Sequence, residues 1–314
     1  MSKEGDAATG QAISEFVSWR SYSLFRQEVT RTVRYVRTPE TTKFLETVAQ
    51  SAQSRVLTIK KGHRFYRAAV AHHDEVVEAI DDAMPAPALP SRMMPLPDRA
   101  TEGRINPKGI PCLYMTSNPE TAIAEVRPWI GSFVSVAILA ALREQRVVDC
   151  TNIGSATTLY FFDEPEPSPQ KREEAVWNHI ARAYREPVTK NDDRAEYAAT
   201  QILADVFRTH GFDGIAYRSA FGTDRYNVAL FDLNAAELLT CSLHEITDVD
   251  FKFRLYVQHA GEHALAHAFA LAQREDLLAR QRLDRGETRR IEHAHRPGVD
   301  EANATQAAVS IHLG

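Results

Sequence analysis

The sequence predicts an α+β protein, with a helical region in front of a mixed α/β or α+β middle and a strand and helix behind it. Three observations lead there. Residues 11–36 place Ile13, Phe16, Val17, Phe25, Val29 and Val33 close to a 3.6-residue period, the mark of an amphipathic helix. From Arg64 onward the pattern shifts to short β-branched or aromatic runs separated by turn residues. Helix-like stretches such as YAATQILADVFRTH lie between those runs.

Taken in order, the first helix is followed by Thr38-Pro39-Glu40. This triplet reads as a cap, a first-turn proline and a favourable first-turn acid, and it starts a second helix running to about residue 54. The expected strands are Arg64–Val70, Cys112–Thr116, Phe133–Ile138, Arg146–Cys150, Gly214–Ser219 and Tyr226–Asp232. Two segments interrupt them. MPAPALPSRMMPLP, residues 84–97, loses a backbone donor at every proline, so it is expected as an extended surface insertion that does not hold the core. DEPEPSPQKREE, residues 163–174, is expected as a second loop, before a helix ending near Tyr184. After Asp250 the run FKFRLYVQ alternates with period two and reads as a half-buried strand, and HAGEHALAHAFALAQREDLLARQRL reads as a long helix. Beyond Gly286 the chain has little to bury and is expected to be mobile. There is no internal repeat.

The bulk numbers narrow the function classes. At 314 residues the chain can bury a sizeable core, and 44% hydrophobic with 25% charged residues is ordinary globular composition. A net charge of −5 gives no overall attraction to nucleic acid or to an anionic membrane, so a small-molecule or protein partner is favoured. Cys112, Cys150 and Cys241 are far apart and form no C-x-x-C pair, as expected of buried thiols in a reducing compartment. The first residues, MSKEGDAATGQ, contain no apolar signal region, and no run of 18 apolar residues occurs, so a soluble, cytoplasmic protein is the expectation.

Several motifs are set aside. His259, His263 and His267 fall at i, i+4 and i+8 on one helical face, but Glu262 precedes His263 where the metalloprotease pattern needs a glutamate just after its first histidine. A solvated or interhelical histidine face is the better reading, and no metal is expected. Neither G-x-G-x-x-G nor G-x-x-x-x-G-K-[ST] occurs, and Ser219 in GIAYRSAFG is not a G-x-S-x-G elbow.

Residues 103–129, GRINPKGIPCLYMTSNPETAIAEVRPW, are richer. Gly103, Pro107 and Gly109 suit a tight turn, LYMT a strand, and Ser117-x-x-Glu120 a capping box with Pro119 in the first turn of a short helix that Pro128 ends. Glu125 then occupies the last turn, where the helix dipole disfavours a carboxylate. From the residues alone, Glu125 is better read as an exposed surface glutamate. Arg104 reads as an ordinary turn residue or as a phosphate ligand, and Tyr114 as core or as a ring lining a cleft.

That segment followed by VSVAI, VVDC, YAATQILADVFRTHGFDGIAYRS and YNVALFD resembles the RES-domain family, whose members include toxins of bacterial toxin–antitoxin pairs. The match covers residues 62–240, leaving a helical region over 1–61, a strand and helix over 241–285 and a tail over 286–314. The resemblance implies a twisted β core similar to diphtheria-toxin-like ADP-ribosyltransferases, with a cleft for NAD. It also implies cleavage of the nicotinamide–ribose bond by water or inorganic phosphate, depleting NAD, which is substrate and not cofactor. Carried over by motif, the family arginine falls on Arg104, a tyrosine on Tyr114, the glutamate on Glu125 and the serine on Ser219, with Arg67 of FYRA and Asn227 of YNVALF in substrate binding. Oxocarbenium-like chemistry suits a carboxylate at the anomeric carbon, the role given to Glu125. The arginines would hold the pyrophosphate, Tyr114 would pack on nicotinamide or ribose, and Ser219 would orient ribose or Glu125.

Two rival functions keep the same cleft: transfer of ADP-ribose to a protein, and a non-catalytic module that senses NAD or docks a partner. An antitoxin protein and a second copy of the chain are the expected macromolecular partners, with nucleic acid and membrane excluded. The N- and C-terminal additions would serve as in-chain regulator, oligomer interface or partner surface.

Overall fold

The computed structural model describes residues 15–79, 81–152, 154, 165–186, 194–222 and 224–253. The chain divides into two units, Met1–Val249 and Asp250–Gly314. Of the second, only residues 250–253 are described, and they carry no helix or strand. The strand expected from Phe251 is therefore not formed over those residues, and its remainder, the long helix, His259, His263, His267 and the tail lie outside the described residues.

In the first unit, α1 (Ser21–Arg31) and α2 (Pro39–Ala52) pack through Phe25 and Phe44, whose rings stack at 4.9 Å. The first helix is shorter than its periodicity suggests, because Val33, Tyr35 and Val36 lie exposed in the connection to α2. Thr38 caps α2 by accepting from Thr41 N at 3.2 Å, with Pro39 in the first turn as its fixed φ favours. Glu28 accepts from the Thr38 and Thr41 hydroxyls and so ties the two helices together.

Among the described residues, eight strands form one mixed sheet: β1 (Val56–Ile59), β2 (Arg64–Ala69), β5 (Leu113–Thr116), β6 (Phe133–Ala141), β7 (Gln145–Cys150), β8 (Gly214–Arg218), β9 (Tyr226–Leu230) and β10 (Ala236–Glu245). Their order is β1-β7-β8-β9-β5-β2-β6-β10, with β7 and β8 parallel and the other pairs antiparallel. The α+β class expected from the sequence is thus the observed one. Alternation along the strands builds two cores. Val148, Ile215, Tyr217 and Ala229 face α1, α2, α5 (Pro169–Arg185) and α6 (Ala198–Thr209), whereas Val147, Ala216, Val228 and Leu230 join Phe65, Leu139 and Met93 on the other face.

The proline-rich segment departs from expectation. His72–Val77 (β3) and Asp82–Pro87 (β4) pair as a two-stranded ribbon, and Pro90–Met93 forms one helical turn, α3. Met93 is fully buried, and Ala88 N donates to Ser135 Oγ at 2.8 Å, so residues 84–97 do contribute to the core. Proline is tolerated in β4 because, among the described residues, that strand pairs only with β3. The three cysteines are free thiols, Cys112 and Cys150 buried and Cys241 half-buried. Burial pushes the Cys112 thiol up to about 11 despite the Arg208 guanidinium beside it, which makes it a neutral core group.

Candidate functional site

The sheet opens where β2 leaves β5. These strands share one register pair, Tyr66 with Thr116, after which Arg67, Ala68 and Ala69 pair only with β6. Beside the opening runs a cross-strand row on the helix side, because Thr116 pairs with Asn227 and Asn227 with Tyr217. Alternation brings Tyr114, two residues before Thr116, and Ser219, two residues after Tyr217, to the same side. A cleft of about 300 Å³ lies over this row, lined by Arg67, Arg104, Tyr114, Glu125, Tyr217 and Asn227 among others.

Glu125 reaches the cleft from α4 (Pro119–Glu125), of which it is the last residue. The cap is Asn118, whose Oδ1 accepts from Thr121 N at 2.8 Å. Ser117, the residue expected to cap, instead accepts from Tyr226 N at 3.2 Å and holds the helix start against β9. The helix stops as Arg127 enters the left-handed region at φ 48°, a position more often given to glycine, directly before Pro128. Glu125 is exposed at the rim, yet its Oε1 is fixed: Asn227 Nδ2 donates to it at 2.6 Å and Ser219 Oγ at 3.0 Å. Ser219 Oγ in turn accepts from Phe221 N at 3.0 Å, so its proton is directed at Glu125. Asn227 Oδ1 is buried and has no hydrogen-bond partner among the described residues. An acceptor in that condition is costly unless something else supplies a donor.

Arg104 stands on a turn clamped from below. Gly103 N donates to Asn106 O at 2.9 Å, Tyr114 Oη donates to Asn106 Oδ1 at 2.7 Å, and Ile105 N donates to Tyr114 Oη at 3.1 Å. Gly103 is required for this closeness, because a Cβ there would lie 2.7 Å from Tyr114 Oη. The start of α6 completes the clamp: Thr200 Oγ1 donates to Arg104 O at 2.6 Å and Gln201 Nε2 to Gly103 O at 2.8 Å. The Arg104 guanidinium donates to Tyr184 O and lies 5.6 Å from the centre of the Tyr217 ring.

Arg67 donates to Tyr114 O at 3.0 Å, and burial lowers its pKa. Neither Arg67 nor Arg104 forms an ion pair with a carboxylate among the described residues. Two guanidiniums held by neutral carbonyls in a partly desolvated cleft leave their charge for an anion. Tyr217 is buried, and that burial pushes its phenol up to about 12, with the Glu125 charge adding to the rise and Arg104 opposing it.

Arg67, Arg104, Tyr114, Glu125, Ser219 and Asn227, picked out in the sequence from motifs up to 160 residues apart, therefore meet around one opening. Tyr114 lines the cleft, but its hydroxyl is spent on the Arg104 turn. The motifs do not point to Tyr217, Thr200, Gln201 or Asn106. Tyr217 had a signal, since it stands two residues before Ser219 on a strand. Thr200 and Gln201 had none beyond membership of an apolar helix. Among the described residues no group of histidine, cysteine and acidic side chains is placed to hold a metal, and no helix is long and apolar enough to cross a membrane.

A mixed sheet with a split and an anion-seeking cleft capped by a fixed carboxylate has the makings of a site for a polar, anionic small molecule. The RES domain profile matches residues 64–254, more than half of the chain, and the protein belongs to the RES domain family. A comparison with curated proteins gave no match. Among solved structures, a chain of the MbcT–MbcA toxin–antitoxin complex of M. tuberculosis is similar at 16% identity and a TM-score of 0.34, covering 64% of this chain and 92% of that one. A likeness this distant fixes neither fold nor function.

Proposed function

We propose that this protein cleaves the nicotinamide–ribose bond of NAD. The observation that carries the reading is the double hydrogen bond that fixes Glu125 Oε1, opposite two arginines without carboxylate partners. In NAD the pyrophosphate and the cationic nicotinamide ring are separated by a ribose. Arg104 and Arg67 would take the pyrophosphate, setting the ribose beneath Glu125. Breaking the bond sends its electron pair to the ring, which leaves as neutral nicotinamide, and positive charge builds on the ribose C1 and ring oxygen. A carboxylate held in place before the reaction stabilises that charge without reorganising. The ribose hydroxyls supply the donor that Asn227 Oδ1 lacks. Water or inorganic phosphate then adds at C1, giving ADP-ribose or its 1-phosphate, and a proton is released to solvent in the hydrolytic case.

In a cell the outcome would be loss of NAD. That fits a toxin of a toxin–antitoxin pair, restrained by an antitoxin protein until needed. The test is product analysis of an NAD digest with and without inorganic phosphate. ADP-ribose in both digests identifies hydrolysis, and a phosphate-dependent ADP-ribose phosphate identifies phosphorolysis. Label retained on protein would replace this reading with ADP-ribose transfer, and intact NAD would end it.

A further inference from the structure

A second cavity, of about 410 Å³, adjoins the cleft and shares Arg67 and Tyr114 as its wall. Its other side is formed by Ser91–Thr101, the stretch that follows the β3–β4 ribbon and contains the end of the proline-rich segment. Arg92 and Arg99 line it together with Arg67, and among the described residues no aspartate or glutamate does. Arg99 has one acidic neighbour, the exposed Asp98 at 3.6 Å, and Arg92 has no ion pair among the described residues. Met94, Pro95 and Leu96 supply an apolar wall on the same side.

Size favours reading the two cavities as one site. Pockets for drug-sized ligands run from about 300 to 1,000 Å³, so the first cleft alone is at the lower limit and would hold only part of a dinucleotide. Arg67 stands between the compartments with its guanidinium anchored on Tyr114 O, where a phosphate entering from either side meets it. An apolar wall next to cations suits a purine carrying a phosphorylated ribose, and it suits a bare nicotinamide riboside less well.

We infer that the second cavity is an adenylate subsite, in which Met94, Pro95 and Leu96 cover the base while Arg92 and Arg99 draw in the phosphorylated ribose. The inference rests on the proposed NAD reading for its biological sense, but it makes a binding statement of its own. The proline-rich insertion thereby acquires a function: it builds the half of the site that recognises the non-reacting end of the substrate.

The experiment uses the full chain and AMP as probe, followed by calorimetry at low salt. AMP should bind the wild type and bind at least tenfold more weakly to the Arg92→Gln/Arg99→Gln double variant. Both side chains are exposed, so the variant should fold, and circular dichroism checks that it does. The Glu125→Gln protein, altered only in the other compartment, should bind AMP as the wild type does. No AMP binding, or binding indifferent to the two arginines, overturns the subsite. If the arginines govern AMP binding but NAD is never cleaved, the subsite stands and the enzymatic reading falls. If NAD is cleaved and the double variant leaves KM for NAD within twofold, the subsite falls and the enzymatic reading stands.

Discussion

Asn227 Nδ2 lies 2.6 Å from Glu125 Oε1, joining a strand in the middle of the sheet to the last residue of a seven-residue helix. Ser219 Oγ shares the same oxygen at 3.0 Å. A helix C-terminus is a poor electrostatic place for a carboxylate. These two donors offset that disadvantage and give the exposed Glu125 side chain a single orientation.

Removing the donors should therefore lower turnover more than stability. Asn227→Ala is expected to reduce kcat/KM for nicotinamide release about 10- to 100-fold, and Ser219→Ala about 10-fold, in line with the loss of one hydrogen bond to a charged group. Because both serve one oxygen, the double variant should lose less than the product of the two. Steady-state kinetics on the four proteins of the cycle checks this.

Gly103→Ala should disturb the Arg104 turn. The new Cβ would meet Tyr114 Oη at 2.7 Å and Asn106 Oδ1 at 2.9 Å, so the Tyr114–Asn106 hydrogen bond must yield. Overpacking of this kind costs about 1–3 kcal/mol. Denaturant unfolding should show that loss, with a rise in KM as Arg104 shifts.

Thr200→Val keeps the shape of the side chain but removes the 2.6 Å donation to Arg104 O. Leaving that carbonyl short of a donor should cost about 1–2 kcal/mol. KM for NAD should rise with kcat little changed, since only the position of a binding group is affected. Equal losses in kcat and kcat/KM would instead place Thr200 closer to the chemistry.

Tyr217 gives a pH prediction. Its phenol is pushed up to about 12 in the folded protein, mainly by burial. Below pH 10 it is protonated whether the chain is folded or not, so its contribution to stability is complete there. Between pH 10 and 12 the unfolded chain releases the proton while the folded one retains it, and stability falls as pH rises. Chemical unfolding across that window should show the decline, and Tyr217→Phe should reduce its slope.

Much of this arrangement could be read before the structure. Short β-branched and aromatic runs bounded by turn residues place six strands to within three residues at either end, since strands covered on both faces, such as Gly214–Arg218 and Tyr226–Leu230, must be apolar almost throughout. The Thr38-Pro39-Glu40 cap was legible because its hydrogen bond is local. Four strands escaped. HHDEVV (β3) and AELLTCSLHE (β10) lie largely exposed, so burial wrote no alternation into them. Val56–Ile59 is too short to stand out after a helix, and β4 is disguised by its prolines. In the site, the motif residues were legible and their supports were not. Thr200 and Gln201 act through bonds to backbone carbonyls nearly a hundred residues away, and such partners leave no mark on local sequence.

Cleavage of NAD is proposed to depend on Glu125, oriented by Asn227 and Ser219. Its most direct test is nicotinamide release by the purified full chain and by Glu125→Gln, an isosteric change that removes the charge and leaves a side chain able to fill the same space. Release by the wild type is expected, with a loss of about 10²- to 10³-fold in the variant, the scale of one pre-placed electrostatic group, and with the folded state intact. Nicotinamide release undiminished by the substitution would contradict this dependence on Glu125.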